Sequence, residues 1–438
     1  MSARELALAV VRDVFPVAGN GVDRSAQEAF DYRARKTTLD LRDRAFATEL
    51  AYGAIKMRRA LDWYLQPFVG DRDKPLPPAI AEILRLAVYE LVYTRPDVHA
   101  TVFEWVNLAK KYGHPGVAGL VNAVLRSFLR DRPPAPSGDL FEGPDDYLAT
   151  RWSLPTWLVR QWRAVFVEDE LEAICAGVDA PARGAIVVDE RRADPAALPR
   201  GAPSPFVPEC LLIDDPSAWR SVQSANHDEA WWLQSESSAM PVAILNPMPG
   251  EAVLDVCSGR GNKALQIWAR LGGEGTLTCI ERDTRKAQVL ERRLAAAQLP
   301  ASIVVGDATQ ALLPLERRFD RVLLDAPCSG VGVVGRHPEA RWRKHPDDGA
   351  RLAVNQSALL ESAAAQVAPG GVLVYAVCST DPRETTDVVE AFLQRQPFER
   401  GLIPATFEAL TGSSGDVLVA PGIEGRDGFY IVRLERRS

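Results

Sequence analysis

From about residue 240 onward the chain alternates short apolar runs with stretches of helical period, and few folds accept that rhythm. Val253 to Val256, Thr276 to Glu281, Ser302 to Val305, Arg321 to Leu324 and Gly371 to Val377 read as strands. Helices are predicted after the glycine loop to about Leu271, over Thr284 to Ala297, over about Asp348 to Val367 and near Glu384 to Arg395. Val417 to Ala420 and Phe429 to Leu434 close the chain as strand-like runs. Such alternation demands a largely parallel sheet with helices on both faces and right-handed crossovers. In these sheets ligands collect at the carboxyl ends of the strands, near the point where strand order reverses.

What precedes this region is different. Ala7, Val10, Val11 and Val14, then Leu50, Tyr52, Ile55 and Leu61, then Ile80, Ile83, Leu84, Ala87 and Leu91 recur at helical spacing, and another helical stretch runs from about Val102 to Leu129. The segment Arg132 to Gly138 is a linker by composition. Three regions follow: an all-α domain over 1–135, a small α+β linking subdomain over 145–235, and a Rossmann-like α/β domain over 236–438. In the linking region Trp157 to Cys175 reads as helix, and Gly184 to Asp189 and Leu211 to Asp214 as strands. The chain lacks an apolar run of membrane-spanning length and an apolar leader block, so a cytoplasmic protein with no membrane partner is expected, as a monomer.

The first strand runs into Asp255-Val256 and the loop Cys257-Ser258-Gly259-Arg260-Gly261-Asn262-Lys263. Gly259 and Gly261 allow a tight turn and close approach of a ligand, and the next helix presents unpaired amides at its start. By itself this is equally an ordinary strand-to-helix turn. Three acids shift the balance. Glu281 ends the second strand, suitably placed for a ribose diol. Asp307 ends the third, where it can face an adenine amino group. Asp325 ends the fourth. Acids at three successive strand ends favour a nucleoside ligand, without separating S-adenosylmethionine from a dinucleotide.

Six cysteines occur and none form a CxxC pair, so no metal site is expected. Cys175, Cys210 and Cys279 read as buried apolar residues. Cys328 and Cys378 do not: each follows a strand, in Asp325-Ala326-Pro327-Cys328-Ser329-Gly330 and Val377-Cys378-Ser379-Thr380, on the ligand side of the sheet. A thiolate there can be stabilised by helix amides and a cation such as Lys263. Thiolate addition to carbon 6 of cytosine makes carbon 5 enamine-like, able to take a methyl group from a sulfonium donor. Asp325 suits the task of holding the base at its N3/N4 edge.

These motifs carry a family resemblance. The chain resembles the RsmB (Sun/Fmu) branch of the NOL1/NOP2/Sun RNA 5-cytosine methyltransferases. Asp325 to Gly330 is that family's DAPCSG signature, continuing into Arg336-His337-Pro338-Glu339 and Trp342, and Val377-Cys378-Ser379 stands where the family has TCS. Asp43 to Gly53 and Val121 to Arg126 resemble a NusB-type RNA-binding domain, Ser153 to Leu158 the linking region, and Asp427-Gly428-Phe429-Tyr430 the final strand. The resemblance implies Cys378 as nucleophile, Cys328 in product release, S-adenosylmethionine held by Cys257 to Lys263 with Glu281, Asp307 and Asp325, and a cytosine in 16S ribosomal RNA, free or partly assembled with ribosomal proteins, as substrate. Three segments depart from the pattern. The cofactor loop usually reads CAAPGGK, which puts cofactor affinity at issue. Gln234-Ser235-Glu236 replaces a glutamine-aspartate, and Glu384-Thr385-Thr386 replaces ENE.

The net charge of -7 advertises no nucleic-acid binding, but it is uneven: residues 1–140 hold 20 Lys+Arg against 17 Asp+Glu. RNA contact must use local basic patches. Candidates are Lys110, Lys111, Arg126 and Arg130, then Arg341, Arg343 and Lys344 after the cysteine loop; each alone reads more readily as solvated surface charge. Trp231 and Trp232 can stack bases, though core packing is the simpler role. Unpaired, splayed bases are the expected target. Competing readings are the same chemistry on transfer RNA, a ribosome-assembly factor without catalysis, and a dinucleotide oxidoreductase.

Overall fold

The computed structural model describes residues 1–17, 24–69, 75–113, 115–224, 230–309 and 318–437. They form two compact units: Met1–Ala164 with Arg336–Arg343, and Val165–Gly335 with Lys344–Ser438.

The first unit is helical: α1 (Ala3–Val14), α2 (Ala26–Ala34), α3 (Leu41–Lys56), α4 (Arg58–Leu65), α5 (Pro78–Tyr93), α6 (Val98–Tyr112), α7 (Pro115–Asp131), α8 (Pro144–Arg151) and α9 (Thr156–Arg163). Side-chain oxygens of Ser2, Ser25, Asp40 and Asp97 accept first-turn amides of α1, α2, α3 and α6, which fixes where these helices begin. Of the periodic residues, Ala7, Val10, Leu50, Ile83 and Leu84 bury together in one core. Residues 145–164, read from the sequence as part of the linking subdomain, belong to this unit. Arg59 of α4 donates to Leu154 O (3.0 Å), Thr156 Oγ1 (2.7 Å) and Thr150 Oγ1 (3.0 Å), a fork that ties α8 and α9 to the bundle.

The segment Arg336–Arg343 also belongs here. Trp342 Nε1 donates to Ile55 O at 2.7 Å. Arg341, 1 % exposed, donates to the carbonyl of Ser153 at 3.2 Å, and Arg343 to those of Val14 and Arg24. This corrects the reading of Arg341 and Arg343 as phosphate contacts: their guanidinium donors satisfy backbone carbonyls. Of the other candidates, Lys111 pairs with Glu5, Arg130 with Asp131, and Lys110 bonds Asn107. Arg126 is exposed.

The second unit carries α10 (Glu168–Asp179) and a four-stranded antiparallel sheet of β1 (Gly184–Val188), β2 (Ala202–Pro203), β3 (Cys210–Ile213) and β4 (Trp231–Leu233), in the order β2-β3-β1-β4, with α11 (Pro216–Ser224) beside it. Trp232 is 2 % exposed and donates to Gln234 Oε1 at 2.7 Å, so it is a core residue and not a stacking platform. Then come α12 (Glu236–Leu245), β5 (Ala252–Val256), α13 (Asn262–Arg270), β6 (Thr276–Glu281), α14 (Thr284–Ala296), β7 (Ala301–Val305), β8 (Phe319–Asp325), α15 (Asp348–Ala365), β9 (Val367–Val377), α16 (Thr386–Leu393), β10 (Phe398–Arg400), β11 (Val417–Val419) and β12 (Phe429–Arg436).

The large sheet runs β10-β12-β9-β8-β5-β6-β7, with β11 on β12. Pairs among β5 to β9 are parallel; β12 is antiparallel to β9. Side chains alternate across it. Val253, Leu277, Leu323 and Val374 face one core with α12 and α13, while Leu254, Ile280, Leu324 and Tyr375 face another with α15 and α16. The chain proceeds outward from β5 to β7 and then returns to β8 on the other side. Strand order therefore reverses between β5 and β8, at whose carboxyl ends the predicted residues stand. No helix among the described residues is long and apolar enough to cross a membrane.

Candidate active site

The parallel pairing of β8 and β9 puts Asp325 opposite Ala376, and Ala326 N donates to Ala376 O at 2.9 Å. Both strands end together, so the loops bearing Cys328 and Cys378 emerge side by side. Their sulfurs lie 3.2 Å apart. The Cys328 thiol is held well above its usual range, first by its hydrogen bond to Cys378, then by burial, then by the negative groups around it, Glu384 and Asp325 among them. Either sulfur can donate to the other as S–H···S.

Lys263, in the first turn of α13, reaches neither sulfur. Its Nζ pairs with Asp325 Oδ2 at 2.7 Å and with Ser238 Oγ at 3.0 Å. The cation expected beside the thiolate instead orients the carboxylate at the end of β8.

The glycine loop keeps the backbone a ligand cradle needs. Cys257, Gly259 and Gly261 have φ of 65°, 60° and 92°. A Cβ on Gly259 would meet only Cys257 O, at 4.0 Å, so the space beside it is open to a ligand. Ser258 N donates to Ile280 O at 2.9 Å, and Ser258 Oγ to Asp255 O at 2.8 Å. The unusual loop residues do not disturb this. Arg260 is exposed, and Asn262 donates to Leu233 O at 3.1 Å and accepts from Arg293.

The acids are built in differently. Glu281 accepts the amides of Gly259 (2.8 Å) and Asp283 (2.7 Å), so it fixes the loop against the end of β6. Asp307 accepts Thr309 N and Oγ1 at 3.0 and 2.8 Å, which hold its carboxyl below the usual range. Asp255, which the sequence presents as part of a strand, is a further candidate beside the glycine loop. It is 1 % exposed, neither carboxyl oxygen has a hydrogen-bond partner, and burial pushes its pKa up to about 7. A buried, unpartnered carboxyl is costly alone and is satisfied by a ligand that brings donors or positive charge. Open space at Gly259, three strand-end acids and an orphaned carboxyl together fit S-adenosylmethionine, whose ribose, adenine and ammonium groups are donors.

Residues 242–435 match the model of 16S rRNA methyltransferase RsmB/F, and residues 1–130 that of the NusB family. A ribosomal RNA small subunit methyltransferase B from Thermus thermophilus is 37% identical over 99% of this chain and 97% of its own length. A probable ribosomal RNA small subunit methyltransferase B from Bacillus subtilis is 33% identical over 92% of this chain and 93% of its own. The crystal structure of PH0851 shares the fold over 100% of this chain and 99% of its own, with a TM-score of 0.80 at 23% identity. The chain belongs to the ribosomal RNA small subunit methyltransferase B family.

Proposed function

We propose that this protein methylates carbon 5 of a cytosine in 16S ribosomal RNA through a covalent cysteine–cytosine intermediate. The observation that carries this reading is the pair of sulfurs 3.2 Å apart at the ends of β8 and β9, beside the Lys263–Asp325 pair. Cys378 adds its sulfur to carbon 6 and breaks the carbon 5–carbon 6 double bond. Asp325 holds the N3/N4 edge of the base, oriented for that contact by Lys263. S-adenosylmethionine, held by Cys257 to Lys263, Asp255, Glu281, Asp307 and Asp325, supplies the methyl group for carbon 5. Water takes the carbon-5 proton, the carbon–hydrogen electron pair restores the carbon 5–carbon 6 double bond, and the Cys378 sulfur leaves as a thiolate, with Cys328 close enough to assist its departure. The relatives of similar length are named for small-subunit ribosomal RNA, which supports the substrate.

The test is methyl transfer from labelled S-adenosylmethionine to unmethylated 16S RNA. Wild type should label cytosine carbon 5, Cys378→Ala should be inactive, and Cys328→Ala should accumulate a covalent protein–RNA adduct. Labelling of transfer RNA alone would overturn the substrate. RNA binding without any transfer would favour the assembly-factor reading.

A further inference from the structure

We propose that Glu384 is the positioning residue that holds the two cysteine loops against one another, an inference that rests on the cysteine-based reading above. Glu384 has no exposed surface. Its Oε1 accepts from Ser329 N at 2.8 Å and from Gln356 Nε2 at 2.9 Å. Its Oε2 accepts from Ser379 Oγ at 2.6 Å and from Ser329 Oγ. Ser329 follows Cys328 in sequence, and Ser379 follows Cys378. The buried Gln356 also donates to Pro327 O at 3.0 Å, on the other side of Cys328. The main-chain oxygen of Glu384 accepts from Tyr375 OH at 2.6 Å, which anchors the turn to β9.

One carboxylate thus gathers both cysteine loops. It meets four donors, and only an acceptor-only group satisfies all of them. An apolar residue of the same size would escape the cost of a buried charge, yet would strand the Ser329 amide and leave the Ser329 and Ser379 hydroxyls, 3.2 Å apart, only one hydrogen bond between them in place of two to the carboxylate. Such a clamp sets the sulfur–sulfur separation, on which thiol-to-thiol hydrogen bonding and assisted release depend. Displacing a reacting group by about 1 Å costs on the order of 10²-fold in rate. The negative charge of Glu384 also bears on Cys328 directly and favours its protonated form.

The experiment compares wild type with Glu384→Gln, Glu384→Ala and the Ser329→Ala/Ser379→Ala pair, each checked for folding by circular dichroism. The first readout is the rate at which diamide joins Cys328 to Cys378, measured by mass spectrometry; two thiols lose two electrons and two protons, and the diazene becomes a hydrazine. The second is iodoacetamide alkylation of Cys328 at pH 8. The third is kcat and KM for methyl transfer. Glu384→Ala and the serine pair should slow cross-linking and lower kcat about 10²-fold, with KM for RNA and cofactor within about twofold of wild type. Glu384→Gln keeps length and one acceptor, so it should cross-link faster than Glu384→Ala while its Cys328 is alkylated faster than in wild type. Wild-type cross-linking and turnover in a folded serine pair, or unchanged Cys328 alkylation in Glu384→Gln, would overturn the proposal. If wild type methylates no cytosine, the cysteine-based reading fails, while cross-linking and alkylation still decide the clamp.

Discussion

The buried carboxyl of Asp255 makes stability depend on pH. Its carboxyl titrates at about 7 in the folded protein against an ordinary 3.8. Between those values the folded state binds the extra proton, so stability falls as pH rises from about 4 to 7 and levels off above. The full span is on the order of a few kcal/mol. Asp255→Asn removes the charge and should flatten that slope, giving a higher melting temperature than wild type at pH 8 and little difference at pH 4. The same change should weaken S-adenosylmethionine binding at pH 8, measured by calorimetry. Undiminished binding would remove Asp255 from the cofactor set. Asp307 behaves in the opposite sense, because Thr309 stabilises its charged form. The three strand-end acids were legible because acids are conspicuous after apolar runs. Asp255 was not, since an acid inside a strand pattern shows no sign of lacking a partner until the surrounding side chains are placed.

At the level of elements, the site depends on two loops touching through glycine. Gly332 N donates to Cys378 O at 3.1 Å, and Gly428 N to Gly332 O at 2.8 Å. A Cβ on Gly332 would lie 2.1 Å from Gly428 O, backbone that has no room to withdraw. Gly332→Ala should therefore cost about 1 to 3 kcal/mol, read as a fall in denaturation midpoint, and should lower kcat by moving the Cys328 loop away from Cys378. Unchanged turnover would show that the loops tolerate separation. The strands bearing the cysteines were predictable from apolar runs, and their bounds agree with the structure to within a few residues. The short edge strand β10 and the strand β4 were not, because three residues show no period and their pairing is with distant segments. Glu384 looked like the start of a surface helix. The available signal was the repeated Cys-Ser pair, Cys328-Ser329 and Cys378-Ser379, whose hydroxyls needed a common acceptor.

Across the molecule, the segment Arg336–Arg343 after the cysteine loop is part of the helical unit. Arg341 is its buried anchor. Arg341→Ala strands the Ser153 carbonyl and should destabilise the helical unit by about 2 to 4 kcal/mol, seen as an earlier first transition in thermal melting. A phosphate-binding arginine would behave otherwise: its loss would reduce the salt dependence of RNA binding by about one charge. No change of slope is expected here.

By itself the sequence determined the class of fold, the strands that carry the chemistry and the residue types at their ends. Those follow from local period and turn residues, which act over a few positions. Tertiary structure alone decided that Lys263 holds Asp325 and not a sulfur, that Arg341 and Arg343 bond backbone, that Asp255 stands unpartnered and that Glu384 gathers both cysteine loops. Hydrogen-bond partners 5 to 329 residues apart are set by how strands pair and helices pack within each unit rather than by any pattern along the chain.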